Sequence, residues 1–324
     1  VSERFELARN FTNKLWNAAR FSLLGLEGYR PGSLPMSELT TEDRWMLSRL
    51  ATVTRPVTEA LESYRFADAA RALYDFSWDE FCSFYVEMLK ERLRDEAARP
   101  AAQRMLAHAL DHLLRLLHPM IPFITEEIWS LLGKVAPQRG VPEPQKAEPI
   151  LMRASWPVSA ATEIDPVMEA RFARFQATLG AIREIRSRQS IPPRQMLSFV
   201  VRCDDKIASL LRPLEPYFAA MAKANATAWG PHVTPPATSA QIKLPELEVF
   251  VDLAGLIDVD AELARNQKQR DKLLILIAGK EKKLGGGTFV DKAPPEVVAK
   301  ERASLEDLRL QLESVESALT SLRQ

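Results

Sequence analysis

From Phe66 to about Glu96 apolar residues recur on two adjoining helical stripes. Phe66, Ala70, Leu73, Phe81, Phe84 and Met88 form one, and Tyr74, Trp78, Cys82, Tyr85 and Leu89 the other. A helix that is apolar over so wide a face must sit inside a bundle, walled by other helices. The sequence supplies those walls. Phe5 to Leu24 places Leu7, Ala8, Phe11, Leu15, Trp16, Ala18, Ala19 and Leu23 on one arc at 100° per residue. Thr40-Thr41-Glu42-Asp43 opens a second helix, with acids in its first turn, that runs to about Tyr64 and buries Trp45, Leu50 and Val57. Pro100 restarts the chain into a helix driven by Leu106, Leu110, Leu113, Leu114 and Leu117. Pro119 and Pro122 then enforce a turn before a short helix through Ile128, Trp129 and Leu132. Residues 1–134 are therefore expected to form a helical bundle.

The remainder divides into three. Prolines and charges mark residues 135–160 as an extended linker whose Ile150-Leu151-Met152 and Trp156-Pro157 return to the bundle. Residues 161–257 read as a small α/β junction domain. Asp165-Pro166 caps a helix striped by Met168, Phe172, Phe175, Leu179 and Ile182. Met196 to Val201 reads as a strand, Lys206 to Ala224 as a helix and Thr227 to Trp229 as a short strand, with a hairpin formed by Ile242 to Leu244 and Leu247 to Leu253. Residues 258–324 read as an antiparallel coiled-coil hairpin. Leu305, Leu308, Leu312, Val315, Leu319 and Leu322 keep strict three-four spacing, facing Leu263, Leu274, Ile277 and Leu284 across a tip at Gly285-Gly286-Gly287. The fold class is mainly α.

Lys plus Arg equals Asp plus Glu at 43 each, so any site for a polyanion must be a local patch. Two such patches are visible. On the opening helix Arg9, Asn13, Asn17 and Arg20 follow one another at steps of four, four and three. Mid-helix asparagines lower helix propensity, so the stripe is either an ordinary solvated face or a set of amides and guanidinia presented to bases and phosphates. Tyr29, beside Arg30 in the loop that follows, either stacks on an unpaired base or seals the helix end. On the hairpin, Lys280, Lys282, Lys283, Lys292, Lys300 and Arg302 gather toward the tip, while Glu306, Asp307, Glu313 and Glu316 lie at the root. That is either a solvated coiled coil or positive charge held at reach for a phosphate backbone.

Ala8-Arg9-Asn10-Phe11-Thr12-Asn13-Lys14-Leu15-Trp16-Asn17-Ala18-Ala19-Arg20-Phe21 and the run from Leu117-His118-Pro119 to Glu127-Ile128-Trp129 resemble the anticodon-binding helical domain of class I aminoacyl-tRNA synthetases for aliphatic amino acids. Lys282-Lys283-Leu284, Phe289-Val290, Lys292-Ala293-Pro294, Val297-Val298 and Glu301-Arg302 are similar to the C-terminal hairpin of the valyl branch of that family. The resemblance implies that Arg9, Asn13, Asn17 and Arg20 face an anticodon stem-loop, with Tyr29 stacking on an anticodon base. It also implies that the tip rests on the outer corner of a valine tRNA. Three glycines stand where family members usually have a polar loop, which implies a more mobile tip.

The same resemblance places the ATP-binding signatures, the amino-acid pocket and the editing domain ahead of this segment, and neither signature occurs in these residues. The chain opens inside helical periodicity without a methionine, which reads as the C-terminal part of a longer chain. No P-loop, paired-carboxylate site or activated nucleophile is present. His108 and His112, four apart on a helix, lack the glutamate and third ligand of a zinc site. The expectation is thus no catalytic residue, metal or cofactor in these residues, with ATP used by the parent enzyme. The partners expected are tRNA and an upstream catalytic domain, not a membrane, and the chain is expected to be monomeric. Two cysteines and the lack of a signal pattern point to the cytoplasm. A stand-alone tRNA-binding paralogue and a structural adaptor dimerising through the Leu305-to-Leu322 seam are the alternatives.

Overall fold

A computed structural model describes residues 3–159, 163–256, 259–285 and 295–323, with some side chains at the segment ends left out. The tip residues Gly286 and Gly287, the motif residues Phe289 and Val290, Lys292, and the side chains of Lys300 and Leu322 lie outside the described residues. Two compact units divide the chain, residues 1–174 and 175–324.

The first unit is the bundle. Helices α1 (Glu3–Gly25), α2 (Thr41–Glu62), α3 (Phe66–Asp75), α4 (Val86–Arg94), α5 (Arg99–Leu117) and α6 (Pro122–Val135) enclose one core. Phe76–Tyr85, between α3 and α4, is a π-helix, so the expected central helix is a rod with a widened middle. Its Phe76, Phe81 and Tyr85 are fully buried. Helix α1 departs from its expected arc. Leu15, Ala18 and Ala19 are buried, but Leu7 is 57% and Trp16 38% exposed. Trp16 lies on the shoulder nearer the polar stripe than the Leu15 line, which leaves it partly open to solvent.

A buried polar network holds α2 to α4. Asp43, completely buried, accepts both Arg92 Nη1 and Nη2 at 2.9 Å and the Tyr85 hydroxyl at 3.0 Å. Burial pushes the Tyr85 phenol well above its ordinary range. Such a carboxylate is tolerated only because its oxygens are fully occupied.

The proline-bearing stretch after α6 is less superficial than its composition suggests. It forms a two-residue ribbon, β1 (Gln138–Arg139) with β2 (Gln145–Lys146). From it Arg139 turns inward, bonding Asp111 Oδ2 at 2.6 Å with its guanidinium 4.2 Å from the Trp129 ring. Leu151 is buried, its N–H donating to Glu126, and Trp156 Nε1 donates to Thr58 Oγ1 at 2.8 Å, so both expected returns to the bundle occur. Helix α7 (Pro166–Arg188) is capped as expected, Met168 N donating to Asp165 Oδ1 at 2.9 Å.

The second unit holds a four-stranded sheet of order β4-β3-β6-β5: β3 (Leu197–Cys203), β4 (Ala224–Gly230), β5 (Ser239–Leu244) and β6 (Leu247–Asp252). β3 pairs parallel with β4 across α8 (Asp205–Leu211) and α9 (Glu215–Ala222), and antiparallel with β6; β5 and β6 form the expected hairpin. Phe175, Leu179, Ile182, Phe199 and Phe218 fill its core.

Helices α10 (Val259–Gly285) and α11 (Pro295–Arg323) form the arm. At 1.5 Å per residue each is roughly 40 Å long. The facing positions of α10 are Leu273 and Ile277, both buried, whereas Leu274 is 43% exposed. Three-four steps from Leu263 reach Leu273 through Asn266 and Arg270 and continue through Ile277 and Lys280 to Leu284, so the seam mixes apolar and polar residues. Among the described residues no helix is long and apolar enough to cross a membrane.

Candidate nucleic-acid interface

Helix α1 owes its setting to its buried side. Leu15, Ala18, Ala19 and Ser22 pack inward, and the Ser22 hydroxyl is satisfied by Ala18 O at 2.8 Å. The opposite side carries Arg9, Asn13, Asn17 and Arg20, all four exposed. Among the described residues none of these four side chains has a hydrogen bond or ion pair. Two amides and two guanidinia thus stand in one row with every donor and acceptor unspent. Lys14, one residue along, is different: it turns into the bundle to Ser83 and Trp78.

The loop after α1 is held from several sides. Gln103 Nε2 donates to Gly25 O at 2.8 Å and Glu27 O at 3.0 Å, Arg99 Nη2 to Glu27 O at 2.9 Å and Arg104 Nη1 to Ser33 O at 3.0 Å. Gly28 takes φ 74°, in the left-handed region that favours glycine. A Cβ on Gly32 would come within 2.6 Å of Arg104 Nη2, so the guanidinium lies flat against the chain. Tyr29 is half-buried and its hydroxyl donates to Gln138 O at 2.9 Å, with burial raising its phenol pKa. The ring is therefore anchored at its polar end, while Arg30 beside it is exposed. Arg99, Gln103 and Arg104 carry no sequence signal for this role, because each acts on backbone some seventy residues away.

On the arm, the cations are not equivalent. Lys280 Nζ and Lys283 Nζ converge on the two oxygens of Glu301, at 2.5 and 2.8 Å, and these bonds hold the Glu301 carboxyl down to about 2. Lys282 and Arg302 are exposed and, among the described residues, make no ion pair. Lys292 and the Lys300 side chain lie outside the described residues.

Nothing described here resembles a reaction centre. His112 Nε2 is 2.8 Å from Thr54 Oγ1, which spends its own proton on Leu50 O, so the imidazole donates and is neutral; burial lowers its pKa to about 3. His108 meets it edge-on at 6.2 Å between ring centres. Among the described residues no group of three or more His, Cys, Asp or Glu side chains could hold a metal. Burial pushes the Cys82 thiol up to about 12, which makes it unreactive.

Residues 43–201 match the family described as the anticodon-binding domain of tRNA ligase, and residues 258–323 that described as the valyl tRNA synthetase tRNA binding arm. Helix α1 precedes the first match but is included in the whole-chain similarities. The chain is 50% identical over its full length to a valine–tRNA ligase of Rhodopirellula baltica, covering 31% of that protein. It is 36% identical over 99% of its length to the Thermosynechococcus vestitus valine–tRNA ligase, covering 35%, and 33% identical over 99% to that of Bacillus subtilis, covering 36%. The chain thus spans about a third of the length of these curated relatives.

Proposed function

The chain belongs to the valyl-tRNA synthetase family, carrying its anticodon-binding domain and its tRNA-binding arm, and on that premise we propose that it grips one valine tRNA at two places. The stripe Arg9, Asn13, Asn17 and Arg20 reads the anticodon stem-loop, with the Tyr29–Arg30 loop beside it. Lys282 and Arg302, with Lys280, Lys283, Lys292 and Lys300 as supporting charge, meet the sugar-phosphate backbone at the outer corner of the tRNA. Held at both places, the acceptor end is oriented for ATP-dependent charging with valine by the rest of such an enzyme, a contribution of position rather than chemistry. The site of action is the cytoplasm and the working form a monomer, a reading supported by the pairing of α10 and α11 with each other.

One observation carries the proposal: Arg9, Asn13, Asn17 and Arg20 stand exposed and unpaired in one row on a helix whose opposite side, Leu15, Ala18, Ala19 and Ser22, is buried in the bundle. Titration of the chain with valine tRNA transcripts, matched and anticodon-swapped, tests it. A clear preference for the matched anticodon is expected, and equal affinity for the two would remove anticodon reading. Light scattering at micromolar concentration should report one chain per particle; a dimer would favour the adaptor instead.

A further inference from the structure

Lys14 lies on the same helix as Arg9 and Arg20, and charge alone would place it among the phosphate contacts. Its surroundings say otherwise. Its ammonium is 2.7 Å from Ser83 Oγ and 3.9 Å from the centre of the Trp78 ring. Ser83 is itself fixed, donating to Trp78 O at 2.6 Å. Trp78 stacks on Tyr74, 5.7 Å away and within 8° of parallel, and Tyr74 stacks on Phe11 of α1 at 5.1 Å. Helix α1 therefore grips a two-ring stack from both ends, with Phe11 on one ring and Lys14 on the other.

The π-helix makes this grip possible. Ser83 stands five residues after Trp78, which in an α-helix would turn it about 140° away. In π geometry the i to i+5 pair falls on one side, and Ser83 meets both the Trp78 carbonyl and the lysine. Burial lowers the Lys14 pKa, consistent with an ammonium withdrawn from solvent.

We infer that Lys14, Ser83 and Trp78 are a positioning device that fixes the rotation of α1, and thereby aims Asn13 and Asn17, rather than part of the RNA contact surface. Lys14 projects about a quarter turn from Asn13, so a helix released here can roll and carry the stripe with it. This inference rests on the proposed reading of that stripe as the anticodon contact.

The test uses the full 324-residue chain, matched and anticodon-swapped valine tRNA transcripts, and a salt series. Lys14→Met and Ser83→Ala should each lower the preference for the matched anticodon by about tenfold, the effect of losing one charge-assisted hydrogen bond, and leave the salt slope unchanged. The double variant should be no worse than either single one. Hydrogen exchange of α1 amides should quicken in both variants without RNA present. Were Lys14 a phosphate contact, Lys14→Met would lower the slope, Lys14→Arg would restore it, and Ser83→Ala would behave as the parent; that pattern overturns the inference. A parent chain that shows no anticodon preference removes the reading beneath it instead, a separate outcome.

Discussion

The bundle and the arm both carry charge, yet they place it in opposite ways. In the bundle three carboxylates are turned inward and saturated: Asp43 by Arg92 and Tyr85, Asp111 by Arg139, and Glu169 by Arg49, Ser48 and Thr52. Among the described α1 side chains Arg9, Asn13, Asn17 and Arg20 form a row left unpaired. In the arm, ion pairs lie at the surface of a two-helix seam and the unpaired cations lie beside the paired ones. A rigid row of mixed donors and acceptors suits discrimination between bases. Flexible cations over a thin coiled coil suit attraction to any phosphate.

The largest test of this contrast compares one pair from each region. Asp43→Ala leaves the buried Tyr85 hydroxyl without its acceptor and Arg92 with only Glu42 and Thr40, and should cost about 3–5 kcal/mol in chemical denaturation. Glu301→Gln in the arm should lower the denaturation midpoint far less, because its partners Lys280 and Lys283 stay partly open to water. Similar losses from both would erase the distinction.

Acid should also separate the regions. His112 is held neutral, its pKa lowered from 6.5 to about 3. As pH falls through 6.5 the unfolded chain takes up a proton the folded bundle refuses, so the bundle loses stability until about pH 3. The slope is about 1.4 kcal/mol per pH unit for such a histidine. His112→Gln, which retains a donor for Thr54, should flatten that slope. Glu301 acts lower: its depressed pKa gives the arm stability above 4.5 that fades toward pH 2. Circular dichroism across this range should therefore show the bundle responding first.

Binding sharpens the contrast further. Asn13→Ala or Arg20→Ala should weaken the matched transcript by about 1–3 kcal/mol and the swapped one far less. A smaller effect belongs to Lys282→Ala, which should reduce the salt slope by about one. Lys283→Ala should change it less, since Glu301 already offsets that charge. An equal reduction from both would show that the ion pair opens on binding.

What the sequence disclosed follows from which forces are local. Helix periodicity marked α2, α5 and α7, and the β5–β6 hairpin was legible from alternation, because each pattern is repeated within one element. The π segment was not legible: an aromatic stripe looks alike in α and π geometry over ten residues, and the contact the π turn permits joins Lys14 to Ser83, 69 residues apart. The arm's existence was plain, but its facing residues were misassigned at Leu274. A register that passes through Asn266, Arg270 and Lys280 cannot be followed by apolar residues alone. For the candidate interface, the stripe on α1 was visible as spacing. The inward turn of Arg139 and the bonds of Arg99, Gln103 and Arg104 to the loop were not, since they join residues distant in sequence.

The claim at the centre is that two differently built surfaces hold one RNA. Hydroxyl-radical footprinting of valine tRNA in the presence of the full chain addresses it directly. Protection is predicted at both the anticodon stem-loop and the outer corner, with Asn13→Ala and Arg20→Ala erasing the first alone and Lys282→Ala weakening the second alone. Protection confined to one of the two places, or loss of both from a single substitution, would contradict it.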